Sequence, residues 1–242
     1  MENSLWSFGC SFTAEYHPID NEIPNNYDKY KEWRGGNLPD IWPTILSKKL
    51  NLENNNKGRG ATSNYDIFYS FCDSVSDLKK NDIVIIQWTS IYRFLLANPT
   101  QDNLMTILPS ETYEEFNQTF IDNILVNRSN VTWLVELIYF SKIINEICKE
   151  KGVHLFYWTY DDDIISYIME KWSKLLYDKF ISIYGVDDIL KKYHLMGHLD
   201  KLCNNKHTID GETNGMIHDA HLGEFGHEEQ AELFYNYIKE RI

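Results

Sequence analysis

Two short stretches, one near each end of the chain, contain the residue types of nucleophilic catalysis. The run 4–13 is apolar up to Gly9 and then presents Ser11. Asp219 and His221 lie just ahead of the last amphipathic segment. A serine hydroxyl becomes a nucleophile when an imidazole takes its proton and a carboxylate orients that imidazole. This order of residues predicts a Ser/His/Asp site, provided that the fold brings the two ends of the chain together.

Predicted strand ends place several of these residues at one edge of a sheet. Apolar runs predict buried strands in the first stretch, at 82–87 and at 152–158. The continuous apolar interior of 82–87 favours a parallel sheet covered on both faces. Ser11 follows the first strand, and Thr89 and Ser90 follow the second. Because α/β sheets keep their chemistry at the carboxyl ends of their strands, these residues are predicted to share the functional edge.

Segments with helical periodicity lie between these strands and after the last of them. Apolar residues recur at helical spacing and predict helices at about 39–50, 67–78, 111–125, 131–150, 164–184, 186–193 and 228–242. Pro43 is tolerated because it lies in the first turn of the first helix. No linker, repeat or low-complexity segment divides the chain, so residues 1–242 are predicted to form a single domain. The predicted fold class is α/β, a three-layer α/β/α sandwich with a central parallel sheet.

Two polar stretches in the first quarter of the chain are predicted to be loops. Residues 15–40 show no sustained period, and long loops inside compact domains are often functional. The alternative for this loop is a surface excursion packed by its own aromatic residues. Residues 54–64 are rich in glycine and asparagine and lead into a helix that Thr62, Ser63 or Asn64 can cap. A loop of this kind points backbone N–H groups towards a developing negative charge.

The charge balance bears on the class of partner. The 242 residues include 36 acidic and 23 basic ones, a formal charge of −13 that repels nucleic acid and anionic membranes, and no local basic patch offsets it. No run approaches the roughly 20 apolar residues of a membrane span, and the start lacks the pattern of a secretory signal. The four cysteines are widely spaced. We therefore expect synthesis in a reducing cytoplasm and no nucleic-acid or membrane partner. The place of action is a separate question.

No metal or organic cofactor is predicted. The three consecutive carboxylates at 161–163 do not face one point, so a helix start is the better interpretation. The glycines at 58–60 lack both the Walker pattern and the full dinucleotide fingerprint. Cys10 is interpreted as a buried small residue and His227 as a packing residue at the start of the last helix. Three further histidines have no carboxylate or cysteine at metal spacing and are interpreted as loop residues: His194, His198 and His207.

Three blocks, taken in order, resemble the SGNH (GDSL) hydrolase family. Residues 8–13 (Phe-Gly-Cys-Ser-Phe-Thr) resemble its first block and 56–64 its second. Residues 219–221 (Asp-Ala-His), with Gly226 and His227 following, resemble its last block. The blocks extend from one end of the chain to the other, so the resemblance implies the flavodoxin-like SGNH hydrolase fold. It also implies that Ser11 is the nucleophile and that Gly60 donates a backbone N–H to the oxyanion. We associate the Gly-Cys-Ser-Phe-Thr start with phage and bacterial genomes.

The third block departs from the family pattern. The family usually ends the third strand with Gly-x-Asn-Asp, whose Asn side chain completes the oxyanion hole, whereas residues 87–90 read Gln-Trp-Thr-Ser. A hydroxyl of Thr89 or Ser90 is expected to donate instead. Asn64 is also predicted to bind the oxyanion or the substrate, together with Gly60 and these two residues. Losing a well-placed donor costs about 3 to 4 kcal/mol of transition-state stabilisation.

The last block departs in its spacing. The family's carboxylate lies three residues before the histidine, a position that His218 occupies here, whereas Asp219 lies two residues before His221. Because this motif is predicted to lie in a loop, Asp219 is assigned to orient the His221 imidazole. Asp210 is the alternative carboxylate.

Two functions of different classes follow from these predictions. The first is a serine esterase that removes acetyl or another small acyl group from a carbohydrate, with the aromatic loops 15–40 and 194–215 as a sugar-binding rim. The second is a catalytically silent SGNH-like domain that serves as a binding or virion structural module. The altered third block favours the second function, and the retained Ser11, Asp219 and His221 favour the first. A silent domain has no reason to keep the serine and histidine side chains within about 3 Å of each other.

Overall fold

The computed structural model describes residues 3–15, 31–32, 35–97, 104–107, 121, 124, 130–161, 164, 179, 208–213 and 216–242. The strands in chain order are β1 (Ser4–Phe8), β2 (Glu53–Asn56), β3 (Ile83–Trp88), β4 (Phe94–Ala97), β5 (Leu104–Ile107), β6 (His154–Thr159), β7 (Thr208–Thr213) and β8 (Met216–Leu222). The α-helices are α1 (Trp42–Leu50), α2 (Asn64–Ser74), α3 (Asn130–Lys151) and α4 (Glu224–Lys239), and a short 3₁₀ helix, Val75–Asp77, follows α2.

Four parallel strands form the central sheet in the order β2, β1, β3, β6. Ser4 pairs with Glu53, Leu5 with Ile83, and Ile83 in turn with His154. The chain moves to one side of β1 to form β2 and to the other side to form β3, so the strand order reverses between β1 and β3. Ligands of open α/β sheets bind in the crevice outside such a switch point.

Helices cover both faces of this sheet, because successive side chains of a strand point to opposite faces. On one face, Phe8 and Ile86 pack with residues of α2 and α3, including Phe71 and Leu137. On the other face, the core consists of residues from the strands and from α1 and α4: Leu5, Ile83, Ile85, Phe156, Trp158, Trp42, Leu46, Ala231, Phe234 and Ile238. The predicted three-layer α/β/α arrangement with a central parallel sheet is confirmed.

Predictions based on apolar periodicity agree with the structure in the described ranges. The predicted strands at 82–87 and 152–158 correspond to β3 and β6, and four of the predicted helices correspond to α1 to α4. Pro43 lies in the first turn of α1 as expected. Most of the predicted helices at 111–125, 164–184 and 186–193 and much of the 15–40 loop lie outside the described residues. The single-domain prediction stays a prediction.

Two loop predictions are wrong in part, and one hairpin was not predicted. Residues 53–56, Glu-Asn-Asn-Asn, form β2, which within this sheet pairs with β1 alone. Such an edge strand needs no apolar alternation, so its sequence carried no strand signal. The antiparallel hairpins β4–β5 and β7–β8 were not expected either, and β8 includes the last block that was predicted to lie in a loop. Among the described helices, none has the length and apolar character that crossing a membrane requires.

A buried carboxylate joins the amino ends of β1 and β3. Asp82 is fully buried and accepts hydrogen bonds from the Ser4 amide (2.9 Å), the Trp6 indole Nε1 (3.0 Å) and the Lys79 amide (2.9 Å). Buried donors cost free energy when they lack a partner. Asp82 therefore fixes the register of the two strands whose opposite ends lead into Ser11 and Thr89.

The substitution Asp82→Ala is expected to lower the free energy of unfolding by about 3 kcal/mol, because it leaves buried N–H donors without an acceptor. Urea denaturation measures this change. The matched control is Asp77→Ala at an exposed position, where we expect a change within about 0.5 kcal/mol. Equal effects of the two substitutions would contradict this role of Asp82.

Candidate active site

Ser11 lies in a tight turn directly after β1, as predicted. The amides of Thr13 and Ala14 both donate to the carbonyl oxygen of Cys10, at 2.9 and 3.0 Å. Ser11 is partly exposed, whereas Cys10 on one side of it is fully buried, in agreement with its interpretation as a small core residue. The turn therefore presents the serine at the carboxyl edge of the sheet, next to the switch point between β1 and β3.

The side-chain amide of Gln87 holds this turn against β3. Its Oε1 accepts from the Cys10 amide (3.2 Å) and the Thr13 hydroxyl (2.5 Å), and its Nε2 donates to the Cys10 sulfur (3.0 Å). Gln87 is fully buried. The sequence marked this position only as a departure from the third block, whereas the structure shows that it clamps the turn that contains Ser11.

Two glycines allow close packing around the same turn. A Cβ on Gly58 would lie 2.6 Å from the Thr13 carbonyl carbon and 2.7 Å from the Ala14 nitrogen, so the backbones of the first two blocks are in direct contact there. A Cβ on Gly9 would overlap the side chains of Gln87 and Thr13, so only glycine lets β3 pack this closely against the turn.

Gly60 lies in the exposed part of the second-block loop. Open space surrounds its Cβ position to at least 4 Å, so its glycine is not required by packing. The next residue, Ala61, adopts a left-handed conformation with φ 57°, which costs an L-residue about 1 to 2 kcal/mol. Strained backbone of this kind is common at ligand-binding turns. The role of Gly60 as an oxyanion donor stays a prediction.

The start of α2 ties the second block to the end of β3. Ser63 is the N-cap residue among the three candidates, and with Asp66 it forms a capping box. The next side chain, Asn64, is buried and bonds the backbone of Thr89 on both sides: its Oδ1 accepts from the Thr89 amide (2.8 Å) and its Nδ2 donates to the Thr89 carbonyl (3.0 Å). Asn64 thus positions Thr89, and its predicted contact with substrate stays a prediction.

The residues after β3 differ in their exposure. Thr89 is fully buried, and its hydroxyl oxygen lies 2.8 Å from the hydroxyl of Tyr160. Ser90 is partly exposed, its hydroxyl accepts from the Tyr92 amide (3.4 Å), and its carbonyl accepts from the Arg93 amide (3.2 Å). The two predicted hydroxyl residues therefore differ, because Thr89 lies in the core and Ser90 lies partly exposed just after the end of β3.

Tyr160 is the site residue that sequence reasoning missed. It follows β6 at the same edge of the sheet, and its hydroxyl lies 3.9 Å from the Cys10 sulfur. Its ring lies 4.7 Å from that of Phe12, measured between centroids. Tyr160 therefore contacts both neighbours of Ser11 in the chain. Like Ser11 and Thr89, Tyr160 comes directly after a predicted strand, and this position could have identified it as a site residue from the sequence.

The last block lies in β8, not in a loop. Asp219 and His221 belong to this strand, which pairs antiparallel with β7, and Ile209 pairs with both Ala220 and His221 at an irregularity in the register. A bulge of this kind bends the strand and changes the direction of its residues. The side chains of 208–221 lie outside the described part of the structure, so the roles of Asp219 and His221 and of the alternative, Asp210, stay predictions.

Trp42 connects the Ser11 turn with the segment that follows the last block. Its indole Nε1 donates to the carbonyl oxygen of Phe12 (2.9 Å), and its amide donates to Nδ1 of His227 (3.3 Å). His227 is buried in the first turn of α4, as predicted, and Gly223 caps this helix directly after β8 ends. The first and last blocks are therefore joined through one tryptophan.

The carboxylate at the end of β6 supports the interpretation of 161–163 as a helix start. Asp161 Oδ1 accepts from the Ile164 amide (3.1 Å), and its Oδ2 accepts from the Ile91 amide (3.3 Å). Asp162 and Asp163 lie outside the described residues. Within the described ranges, no group of three His, Cys, Asp or Glu residues is arranged to hold a metal ion.

The comparisons with known proteins are sparse. No family model matches this chain, and no curated protein matches it. One solved structure that does match is the "putative lipolytic protein of G-D-S-L family" from Desulfitobacterium hafniense DCB-2, with 14% identity and a TM-score of 0.44 over 96% of this chain and 99% of that chain. At this identity and TM-score the likeness supports no statement about activity.

The substitution Gly9→Ala tests the close packing of the Ser11 turn. We expect it to lower the free energy of unfolding by about 2 kcal/mol, because the new methyl group overlaps the side chains of Gln87 and Thr13. The matched control is Gly60→Ala, where the methyl group enters open space and a change within about 0.5 kcal/mol is expected. Chemical denaturation of both variants measures the difference, and equal stabilities would contradict the packing argument.

Proposed function

We propose that this chain is a serine ester hydrolase of the SGNH type, with Ser11 as its nucleophile. The observation that carries the proposal is the Trp42 connection: the indole contacts Phe12 beside Ser11, and the amide contacts His227, which follows the last block by six residues. A connection of this kind brings the two ends of the chain to one region of the fold. The predicted Ser/His/Asp order requires that proximity.

The proposed reaction has two halves. The Ser11 hydroxyl attacks the ester carbonyl while His221 takes the hydroxyl proton, and Asp219 holds the imidazole in the required tautomer. When the tetrahedral intermediate collapses, the bond to the leaving alcohol breaks and His221 returns the proton to that alcohol. Water then attacks the acyl-serine with His221 again as the base, which releases the carboxylic acid and restores Ser11.

The proposed oxyanion hole starts with the backbone N–H groups of Ser11 and Gly60. Such donors stabilise the developing charge when they are held in place before the reaction. The contacts of Gln87 and Gly58 support this requirement, because they hold the Ser11 turn against β3 and against the second-block loop.

The proposed substrate is an ester of a small acyl group, such as acetyl, on a carbohydrate. Phe12 and Tyr160 are partly exposed aromatic residues in mutual contact beside Ser11. An aromatic face packs well against the C–H face of a sugar ring, because both surfaces are apolar and flat. The chain's formal charge of −13 favours a neutral or cationic substrate over a strongly anionic one.

The third block favours a second candidate function, a catalytically silent SGNH-like domain that acts as a binding module or as part of a virion. The amide of Gln87 is committed to the Ser11 turn, and Thr89 is fully buried. Neither side chain therefore presents the amide donor that the family pattern has at this block. The retained serine would then be a remnant of catalysis.

Variants of the two predicted reacting residues distinguish these functions. With p-nitrophenyl acetate as substrate, Ser11→Ala and His221→Ala are each expected to lower kcat by at least about 10³-fold, because each removes a group that acts in the same step. A fluorophosphonate should label Ser11 in the unsubstituted protein, as read by mass spectrometry. The matched controls are Ser76→Ala, at an exposed position, and His154→Ala, at the opposite edge of the sheet.

Turnover that survives in the controls and is lost in the two site variants, with the label on Ser11, supports the hydrolase. Equal rates in all variants, with no label on Ser11, would rule it out and favour the silent module.

The orienting carboxylate has its own test. Asp219→Ala is expected to lower kcat by about 10²- to 10⁴-fold while Asp210→Ala leaves it within about twofold, since only the carboxylate that bonds the imidazole fixes its tautomer. Steady-state kinetics of the two variants measure this difference. The reverse result would move the role to Asp210.

A further inference from the structure

The oxyanion hole that is proposed above lacks a side-chain donor. In the family pattern an Asn after the third strand supplies it, but here Thr89 stands at that position and is fully buried. Both ends of the nearby Gln87 amide are bonded to Cys10 or Thr13. Removing one oxyanion donor from a hydrolase lowers kcat by about 10²- to 10³-fold. A hydrolase with this third block therefore needs a donor from another element.

The residue after β6 is placed to supply it. Tyr160 packs its ring against Phe12 with 4.7 Å between centroids, and its hydroxyl lies 3.9 Å from the Cys10 sulfur. These are the residues on either side of Ser11. The same hydroxyl lies 2.8 Å from that of Thr89, at the point where the third-block side chain is expected.

The hydrogen bonds around Thr89 bear on which hydroxyl hydrogen is available. Thr89 is fully buried, and Asn64 already bonds its backbone N–H and C=O. Within the described residues, the partner of its hydroxyl is the Tyr160 oxygen, and either hydroxyl can be the donor. When Thr89 donates, the phenolic hydrogen of Tyr160 remains for a substrate oxygen.

The thiol of Cys10 donates to the same phenolic oxygen. With Thr89 as the donor, the Tyr160 oxygen accepts from two groups of the protein, and its own hydrogen is left for an acceptor outside them. Unlike Thr89, Tyr160 is partly exposed at the carboxyl edge of the sheet, where a substrate would enter. Of the two hydroxyls, the phenolic one is therefore the donor that a substrate oxygen can reach.

We propose that Tyr160 donates its phenolic hydrogen to the carbonyl oxygen of the bound ester and so takes the part of the missing third-block Asn. This inference rests on the proposed hydrolase function. Thr89 then acts as a positioning residue, because its hydroxyl orients the phenol and Asn64 holds its backbone. The Thr89 hydroxyl, which the sequence predicted as a donor, therefore contributes to the oxyanion hole indirectly, by orienting Tyr160.

The surroundings of Tyr160 keep this donor protonated. Burial is the largest cause that raises its pKa above the usual value, and the Cys10 thiol raises it further, whereas the Arg93 guanidinium and the hydrogen bond from Thr89 act in the opposite direction. The net direction is upwards. The phenol therefore keeps its hydrogen near neutral pH, where a neutral histidine can act as the base.

Tyr160→Phe removes the hydroxyl and keeps the ring that packs on Phe12. We expect kcat for p-nitrophenyl acetate to fall by about 10²-fold with KM within about threefold, because the donor acts mainly on the charge that develops in the transition state. The rate at which a fluorophosphonate labels Ser11 should fall in parallel. A loss of packing alone would not separate kcat from KM in this way.

The matched control is Tyr157→Phe, the same change three residues earlier, within β6. The Tyr157 hydroxyl is buried and donates to the Ser141 carbonyl at 2.8 Å, away from the carboxyl edge. We expect kcat and the labelling rate of this variant to stay within about twofold of the unsubstituted protein. Circular dichroism establishes that both variants are folded.

A second measurement does not depend on the folding of Tyr160→Phe. Incorporation of 3-fluorotyrosine at position 160 keeps the hydroxyl and makes it a more acidic, stronger donor. We expect kcat to rise by a few-fold, whereas a residue that only fills space should give an unchanged rate.

The outcomes separate this inference from the proposed function. If no Ser11-dependent turnover and no label occur in the unsubstituted protein, both fail. If turnover depends on Ser11 but Tyr160→Phe behaves like Tyr157→Phe, or changes KM alone, the hydrolase stands and the role of Tyr160 is wrong. A drop in kcat with an unchanged KM, limited to Tyr160→Phe, supports the inference.

Discussion

The buried amide of Gln87 is the interaction on which the arrangement of the candidate site depends. Its oxygen accepts from the Cys10 amide and the Thr13 hydroxyl, and its nitrogen donates to the Cys10 sulfur. A side-chain amide in a fully buried position must satisfy both of its ends, since unpaired polar groups there cost about 1 to 3 kcal/mol each. The turn that presents Ser11 is therefore held by the neighbouring strand as well as by its own sequence.

Other contacts extend this rigid centre to the rest of the chain. Gly58 allows the second block to touch the Ser11 turn, Asn64 fastens the end of β3 to the start of α2, and Trp42 reaches both Phe12 and His227. Each of these contacts joins elements that the sheet has already brought together at one edge. The site is thus a product of the parallel strand order, which gathers the ends of β1, β2, β3 and β6.

The same amide stands at the first position of the third block, where the family pattern has glycine, and it clamps the Ser11 turn. Thr89 stands at the position of the family's Asn and is fully buried, so neither side chain supplies an amide donor to the site. Tyr160, directly after β6, lies next to Thr89 and retains a hydroxyl. The proposed hydrolase and the proposed silent module then differ in one physical respect. The hydrolase has a side-chain donor, such as the Tyr160 hydroxyl, that faces the substrate oxygen, and the silent module has none.

Local apolar patterns predicted a large part of the fold. The strands β1, β3 and β6 and the helices α1 to α4 follow from apolar runs and from helical spacing, because burial of one face requires those patterns wherever the element lies. The carboxyl-edge positions of Ser11 and Thr89 followed from the strand ends. The resemblance to a hydrolase family came from short blocks that can be read without a structure.

Only the tertiary structure decided how these parts meet. The polar strand β2 forms through pairing with the distant strand β1, which leaves no periodic signal in its own sequence. The hairpin that contains His221 pairs two neighbouring segments, and their sequences also carried no strand signal. The bonds that hold the site join residues far apart in the chain: 74 positions separate Thr13 from Gln87, and 71 separate Thr89 from Tyr160. The sequence determined which elements form and the chemistry of their ends, because those depend on local composition. The packing of the whole chain decided which side chains hold Ser11, because hydrogen bonds between distant residues depend on where the sheet places them.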